Sequence, residues 1–145
     1  MKKDTNRTGL AAELALASEC LERGLTVLTP MGDYLPYDII ISNGVKHLKV
    51  QVKAANAHSS SDSGRKYKRY TFKTVRSSKQ KYDGADVDVF ALYFIDTKTW
   101  AFIPFSEVSS STVFFRENEK GRTVKSVNKY SKYLNNWKIF KSKED

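Results

Sequence analysis

The sequence predicts an α/β fold, because one helical segment at the N-terminus is followed by a series of strand-like segments. Apolar residues recur at helical spacing over 6–23, two apolar runs flank Asn43 and Gly44, and 87–95 is the most apolar run of the chain. The chain has 145 residues, enough for one domain with its own core. We therefore expect a single domain over 1–145.

The first predicted element is a helix over 6–23 that Gly24 ends. Its apolar residues at helical spacing form a stripe that we expect to be buried, and they are Leu10, Leu14, Ala17 and Leu21. Glu13 lies at the margin of this stripe. A carboxylate in such a place is usually a solvated helix residue, so the helix alone assigns it no function.

The second predicted element is a β-hairpin over 36–53. Asn followed by Gly between two apolar runs is the strongest short-range signal for a two-residue turn. With that turn, Ser42 faces Val45 and Asp38 faces Lys49. The assignment of side chains to faces depends on this turn length, because a slip of one residue exchanges the two faces.

The predicted hairpin has one apolar face and one polar face, because side chains alternate along a strand. The apolar face carries Ile39, Ile41, Leu48, Val50 and Val52. The polar face carries Asp38, Lys49, Gln51 and Lys53, at the end away from the turn. A carboxylate, an amide and two lysines gather there, so we expect the chemistry of the protein at this end.

The remaining segments predict further strands and a closing tail. We expect a short strand over 25–29, a polar loop over 54–65, part of a strand within 65–82, a central strand over 87–95 and a return strand over 100–105. A helical turn is expected at 106–108 and a short helix at 128–133, and the tail over 133–140 should cover the core. Asp83, Asp86 and Asp88 surround a strand entry, where we expect them to cap the turn and not to bind metal.

The net charge of +9 is concentrated in two segments. Residues 63–82 hold eight Lys/Arg and no acid, and residues 116–145 hold nine bases against four acids. This distribution is typical of a phosphate-binding surface, although a solvated basic face is the alternative. We expect a basic DNA-binding insertion at about 54–82 and a basic C-terminal segment at about 116–145. The candidate DNA contacts are Lys49, Arg65, Lys66, Lys68, Arg69, Lys73, Arg76, Lys79 and Lys81.

The sequence favours a cytoplasmic protein without a membrane partner. The N-terminus has no apolar stretch of signal-peptide length, and no apolar run is long enough to span a membrane. A single cysteine, Cys20, argues against a disulfide scaffold and fits a reducing compartment. We expect Cys20 to be a small buried side chain.

The polar end of the hairpin has the residue types that phosphodiester hydrolysis requires. Mg²⁺ (or Mn²⁺) takes oxygen ligands, which the Asp38 carboxylate, the Gln51 amide and the backbone carbonyl of Val52 can supply. Lys53 points to the same side and can orient or acidify the attacking water. Glu13, on a helix beside the hairpin, could bind a second ion or the water.

This set of residues resembles the PD-(D/E)XK nuclease superfamily, whose pattern is a helix Glu, a Pro-Asp and an acid-X-Lys on the next strand. Glu13, Asp38 and Gln51-Val52-Lys53 are the matching positions. Tyr37 stands where the pattern has proline, and Gln51 replaces the acid, which should weaken metal binding. The resemblance implies a restriction-endonuclease-like core, with a mixed central sheet flanked by helices.

The whole chain is similar to bacterial (cyanobacterial) homing endonucleases of this superfamily that are encoded in group I introns. The basic segment 65–82, the strand at 87–95 and the tail at 133–140 carry that similarity. It implies a sequence-specific double-strand cut in an intronless target such as a tRNA gene. It also implies Mg²⁺ dependence and a homo-oligomer, a dimer at least and a tetramer in the relative.

Two other functions remain open on the sequence. One is another nuclease of the same fold, a Holliday-junction resolvase or a restriction-type enzyme. The other is a non-catalytic nucleic-acid-binding module that kept the fold, which the neutral Gln51 favours.

Overall fold

The computed structural model describes residues 5–62, 64–75, 82–116 and 129–141, with the backbone alone at 62 and 65. Helix α1 (Thr5–Glu22) comes first and eight strands follow in this part of the chain. The strands are β1 (Thr26–Leu28), β2 (Ile39–Ser42), β3 (His47–Ala55), β4 (His58–Asp62), β5 (Arg65–Lys73), β6 (Val89–Phe94), β7 (Thr99–Pro104) and β8 (Thr112–Arg116). Three 3₁₀ turns cover Phe105–Glu107, Ser131–Tyr133 and Trp137–Phe140.

The strands form a five-stranded central sheet, in the order β1-β2-β3-β6-β7, and a three-stranded second sheet, in the order β4-β5-β8. In the central sheet, β3 and β6 are parallel and the other neighbours are antiparallel, so the sheet is mixed, as the fold class predicted. The chain leaves the central sheet after β3, forms β4 and β5, and returns as β6. The second sheet is therefore built mainly from the basic insertion predicted at 54–82.

The central sheet is covered on one face by α1 and on the other by the second sheet. The first core contains residues of α1, the central strands and the tail: Ala12, Leu16, Cys20, Ile39, Ile41, Val50, Val52, Val89, Ala91, Trp100, Phe102, Trp137 and Phe140. The second core contains Tyr70, Phe72, Phe90, Leu92, Phe94, Ala101, Ile103, Val113, Phe115 and Tyr130. Among the described residues α1 is the one α-helix, so a sheet takes the place of the helices expected on the second face.

The predicted buried stripe of α1 is wrong. Leu10, Leu14 and Leu21 are 56, 61 and 62% exposed, whereas Leu16 and Cys20 are fully buried, together with Ala12. The helix has apolar residues on two opposite faces, and periodicity cannot tell which of them packs on the sheet. The small side chains of Ala12 and Cys20 allow the helix to approach the strands closely, which explains why this face and not the leucine face is buried. The expectation for Cys20 itself is confirmed.

The predicted two-residue turn is also wrong, because the hairpin loop has four residues, 43–46. Ser42 pairs with His47 and Ile40 pairs with Lys49, a shift of two residues from the expected register. The side-chain amide oxygen of Asn43, Oδ1, accepts hydrogen bonds from the backbone N–H of Val45 and of Lys46, at 2.9 and 2.8 Å, and so stabilises the longer loop. Because the shift is even, the predicted apolar and polar faces are kept.

The expected loop over 54–65 is largely strand. β3 extends to Ala55, and the Ser-rich segment is β4, which pairs with β5 from His58 opposite Arg69 onwards. An antiparallel ribbon satisfies the backbone of a polar segment, so a polar composition did not exclude a strand here. β8 begins two residues before Phe114, in a region that the sequence left without an assigned element.

The other elements follow the sequence closely. β6 is buried almost throughout and lies between β3 and β7, as expected of the central strand. Trp137 and Phe140 cover the first core, as the tail was predicted to do. The described residues include no helix long and apolar enough to cross a membrane.

Candidate active site

The hairpin brings Asp38 next to the middle of β3. The Asp38 N–H donates to the Val50 carbonyl at 2.9 Å, and the Val52 N–H donates to Asp38 Oδ2 at 2.9 Å. Continuing the observed register past Ile39 opposite Val50 places Asp38 level with Gln51, two residues further along β3 than predicted. The longer loop thus moves the carboxylate towards Gln51 and Lys53, and it assembles the site more tightly than a two-residue turn would.

Glu13 of α1 joins this carboxylate across the boundary between helix and sheet. The two carboxyl groups form a side-chain hydrogen bond, in which a protonated Glu13 donates to Asp38. Burial, the charge of Asp38, this hydrogen bond and the charge of Asp33 raise the pKa of Glu13 to about 7. Burial also raises the pKa of Asp38, although the Val52 N–H, Glu13 and Lys53 oppose that shift. Burial and the neighbouring charges thus make both carboxyl groups bind a proton more tightly than free carboxyl groups do.

Lys53 lies on the same face of β3 and is half-buried. Burial lowers the pKa of its ammonium, and the charge of Asp38 opposes that shift. Lys53 Nζ lies 3.3 Å from the hydroxyl of Tyr82, and Tyr82 packs edge-on against Phe90 of β6 with ring centroids 5.6 Å apart. Tyr82 therefore fixes the position of the lysine head group.

The side chain of Gln51 points towards the backbone carbonyl that follows it. Gln51 Nε2 lies 3.5 Å from Val52 O, so the amide and the carbonyl converge beside Asp38. Turning the amide over places Oε1 in that position. The resulting donor set is one amide oxygen, one backbone carbonyl and the two carboxyl groups of Asp38 and Glu13, which fits a hard divalent cation such as Mg²⁺.

These side chains line one cavity of about 730 Å³ between the start of α1, the loop after β1 and the end of the hairpin. Glu13, Asp38, Gln51, Val52 and Lys53 all contribute to its wall, so the structure brings together the five residues that the sequence singled out for chemistry.

The same cavity is also lined by Asp33, to which the sequence analysis assigned no role. Asp33 acts electrostatically on both Glu13 and Asp38. Among the described residues no three His, Cys, Asp or Glu side chains form a group that could hold a metal, so amide and carbonyl oxygens would have to complete a ligand set here.

Comparison with known proteins agrees with this geometry. A family model described as PD-(D/E)XK endonuclease matches residues 3–136, nearly the whole chain. The chain belongs to the PD-(D/E)XK endonuclease family. A solved structure, that of the bacterial homing endonuclease I-Ssp6803I, has the same fold, with a TM-score of 0.76 and 24% identity over 94% of this chain and 93% of the other. No curated protein matches the sequence.

Family membership confirms the predicted class, a nuclease of this superfamily, and the fold agrees with the predicted restriction-endonuclease-like core. Neither comparison assigns roles to the individual side chains of the site. In this PD-(D/E)XK chain the assignment of Glu13, Asp38, Gln51 and Lys53 therefore depends on the geometry described above.

Lys49 stands apart from the cavity of this PD-(D/E)XK chain. Its ammonium donates to the Ala85 carbonyl, and its backbone N–H donates to Asp88 Oδ2 at 2.8 Å. Asp83 accepts hydrogen bonds from the N–H of Ala85 and of Asp86, so the aspartates stabilise the turn before β6 as expected. Lys49 therefore stabilises the turn before β6, and its side chain does not lie beside that of Lys53.

Apart from Lys49 on β3, the predicted DNA contacts that the structure describes lie on β5. Lys66, Lys68 and Lys73 are exposed. Arg69 is partly buried, and its Nε has no hydrogen-bond partner among the described residues. Arg65 begins the strand, and its backbone pairs with that of Asp62. Arg76, Lys79 and Lys81 lie outside the described residues.

Sequence reasoning missed Arg116, which pairs directly with Arg69 across β5 and β8. The Arg116 guanidinium lies 3.7 Å from the centroid of the Tyr67 ring, and that of Arg69 lies 5.1 Å from the Phe114 ring. Adjacent like charges on a sheet repel each other, and an anion between them would offset that repulsion. The alternation of β8 residues around buried Val113 and Phe115 was the signal that could have indicated this strand.

Proposed function

We propose that this protein is a sequence-specific, Mg²⁺-dependent endonuclease that makes a double-strand break in DNA. The observation that carries the proposal is the meeting of Glu13, Asp38, Gln51 and Lys53 in one cavity, with Asp38 held by two backbone hydrogen bonds. A carboxyl pair, a converging amide and carbonyl, and a half-buried lysine are the groups that hydrolysis of a phosphodiester needs.

A divalent cation would be held by Asp38, Gln51 and the Val52 carbonyl, with Glu13 joining through its carboxylate or through water. When bound, the ion supplies positive charge against the phosphate oxygens and favours the ionised form of the attacking water. The neutral Gln51 gives the site one negative charge fewer than the family pattern. We therefore expect weaker affinity for the ion than in relatives with an acid there.

The chain itself supplies orientation and proton handling. Lys53 places an ammonium beside Asp38, where it can orient the water and stabilise the charge that develops on the phosphate. Ionisation of Glu13, whose pKa is about 7, readies the site for a cation and for proton uptake from water. Tyr82 keeps the Lys53 ammonium in place.

The second sheet is the proposed DNA-binding surface. Exposed lysines on β5 suit contacts to phosphates, whereas Arg69 and Arg116 are stacked on aromatic rings and so present ordered guanidinium groups. An ordered guanidinium can bind guanine through two hydrogen bonds, or it can bind a phosphate. The basic residues within 76–81 extend the same segment of sequence.

The proposed biological role is intron homing, by cleavage of an intronless target such as a tRNA gene. It is supported by the fold shared with the structure of a bacterial homing endonuclease and by the sequence resemblance. A small subunit that reads a long site requires at least two copies, so we propose a homo-oligomer, a dimer or a tetramer. The proposed compartment is the cytoplasm, where the single reduced cysteine would be stable.

A second candidate is a nucleic-acid-binding module without cleavage activity, which Gln51 favours. It predicts DNA binding that does not depend on Mg²⁺, that falls steeply with salt, and that leaves DNA intact. A junction resolvase of the same fold would instead prefer four-way junctions over any linear DNA.

The test is incubation of the protein with plasmid DNA that carries an intronless tRNA gene, with Mg²⁺ or with EDTA, beside a four-way junction. One discrete double-strand cut that requires Mg²⁺ supports the proposal. Retarded but uncut DNA under both conditions supports the binding module, and selective cutting of the junction supports a resolvase.

The Gln51 side chain allows a matched pair of variants in the same assay. Gln51→Glu should lower the Mg²⁺ concentration needed for half-maximal cleavage, and Gln51→Ala should raise it by about 10-fold or more. If both variants require the same Mg²⁺ concentration as the parent, Gln51 does not bind the ion.

A further inference from the structure

Helix α1 has a second apolar face that the described part of the chain leaves in solvent. Leu10, Leu14 and Leu21 are all more than half exposed, and they lie within about 40° of one another around the helix axis. They form a stripe about 17 Å long on the side opposite Ala12 and Leu16. A helix with apolar residues on both sides is normally covered on both.

The charges of α1 are arranged in reverse of what an isolated helix prefers. No acid stands in the first turn and no base in the last, while Arg7 lies near the beginning and Glu22 is the final residue. The helix dipole favours the opposite arrangement. A neighbouring antiparallel helix would turn this unfavourable arrangement into a favourable one. It would place the negative C-terminal end of each helix beside the positive N-terminal end of the other.

We propose that the outward stripe of α1 binds the same stripe of a second copy of this chain, antiparallel and about a two-fold axis near Leu14. In such a pair the residue seven before Leu14 meets the residue seven after it. Arg7 of one copy then lies beside Leu21 and next to Glu22 of the partner subunit, and the reverse holds on the other side. The surface is therefore self-complementary in both charge and apolar contact, as a two-fold interface requires.

A second copy fits this face better than nucleic acid does. Among the four charged residues of α1 there are one base and three acids, so the helix lacks the basic excess of β5. Large exposed apolar side chains in a row mark a protein interface and not a phosphate-binding surface. The proposal specifies a surface for the proposed homo-oligomer and does not depend on nuclease activity.

The experiment is sedimentation velocity of the full chain over a range of concentrations, without DNA. We expect a reversible dimer or a larger even-numbered assembly. Leu14→Glu and Leu21→Glu should each raise its dissociation constant about 10-fold or more. The matched control is Val45→Glu, since Val45 is an exposed apolar residue in the hairpin loop and not on α1, and its substitution should change nothing.

A charge exchange tests the antiparallel orientation. Arg7→Glu and Glu22→Arg should each weaken association, and the double variant should restore it. Circular dichroism of each variant checks that α1 stays folded. The proposal is overturned if the parent chain is monomeric at all concentrations, if Leu14→Glu associates as tightly as the parent, or if the double variant fails to restore association. DNA cleavage is measured separately, so a monomer that still cuts DNA would contradict this interface and leave the nuclease function intact.

Discussion

The cavity and the second sheet contain similar residue types and hold them in different ways. In the cavity, Asp38 is fixed by two backbone hydrogen bonds, and burial shifts the pKa of Glu13 and of Lys53. On the second sheet, the lysines of β5 are exposed and directed to solvent. We propose that the half-buried, hydrogen-bonded groups perform the chemistry and that the exposed cations supply affinity. Five substitutions, in four experiments, test this division.

The largest expected effect is the loss of cleavage in Lys53→Ala. Removing the ammonium takes away the charge that the phosphate meets in the transition state, so single-turnover cleavage should fall about 10³-fold. DNA binding in EDTA should remain nearly unchanged. Lys46→Ala is the control, because Lys46 is an exposed lysine in the loop of the same hairpin. Survival of cleavage in Lys53→Ala would show that the chemical centre lies elsewhere.

The converse substitutions are Arg69→Gln and Arg116→Gln on the second sheet. Each should weaken DNA binding by about 1–3 kcal/mol where the arginine contacts a base, or lower the slope of log affinity against log salt by about 1 where it contacts phosphate. Binding is measured at several salt concentrations, and cleavage is measured at saturating protein. A reduced cleavage rate at saturation would contradict the division between the two regions.

Tyr82→Phe tests the contact between the Tyr82 hydroxyl and the Lys53 ammonium, which lies at the edge of the cavity. The ring packing on Phe90 is kept while the hydroxyl 3.3 Å from Lys53 Nζ is lost. We expect a decrease in single-turnover rate of about 10-fold, from a less well positioned ammonium, with DNA affinity unchanged. Tyr67→Phe, on the second sheet, serves as the control. Equal rates for Tyr82→Phe and the parent would mean that the hydroxyl does not position Lys53.

The smallest effect concerns Glu13 and stability. The folded chain holds the Glu13 proton more tightly than the usual value of 4.5, with a pKa of about 7. The stability that protonated Glu13 contributes is therefore fully present below about pH 4.5 and is lost as the pH rises to about 7. Glu13→Gln should stabilise the metal-free protein at pH 8 by about 1 kcal/mol, since solvent screens a half-exposed carboxyl.

Urea unfolding at pH 5 and at pH 8, in EDTA, measures the Glu13 effect. The two proteins should differ at pH 8 and differ by much less at pH 5. A difference that is the same at both pH values would exclude the ionisation of Glu13 as its cause.

The hairpin shows why the candidate site was predictable from sequence. The turn length was wrong, yet every side chain of β2 and β3 lies on its predicted face, because a shift of two residues preserves the alternation. The identities of Asp38, Gln51 and Lys53 were therefore enough to place them on one polar face. The family pattern added Glu13, which helix periodicity alone left as a solvated residue.

The helix shows where sequence reasoning was insufficient. Leu10, Leu14 and Leu21 form as regular a stripe as Ala12, Leu16 and Cys20, and only packing against the central sheet decided which stripe is buried. In the same way, the Ser-rich segment became β4 because β5 offers it a hydrogen-bonding partner. The local sequence pattern of a segment does not show which other strand or helix it will pack against.

The sequence by itself determined the α/β class, the central strand at β6, the polar face of the hairpin and the concentration of basic charge around β5. These properties depend on alternation and composition, which are local. Tertiary structure alone decided the alignment of Asp38 with Gln51, the contact between Tyr82 and Lys53, and the pairing of Arg69 with Arg116. Each of these contacts joins residues distant in the chain, so its geometry depends on how whole elements pack together.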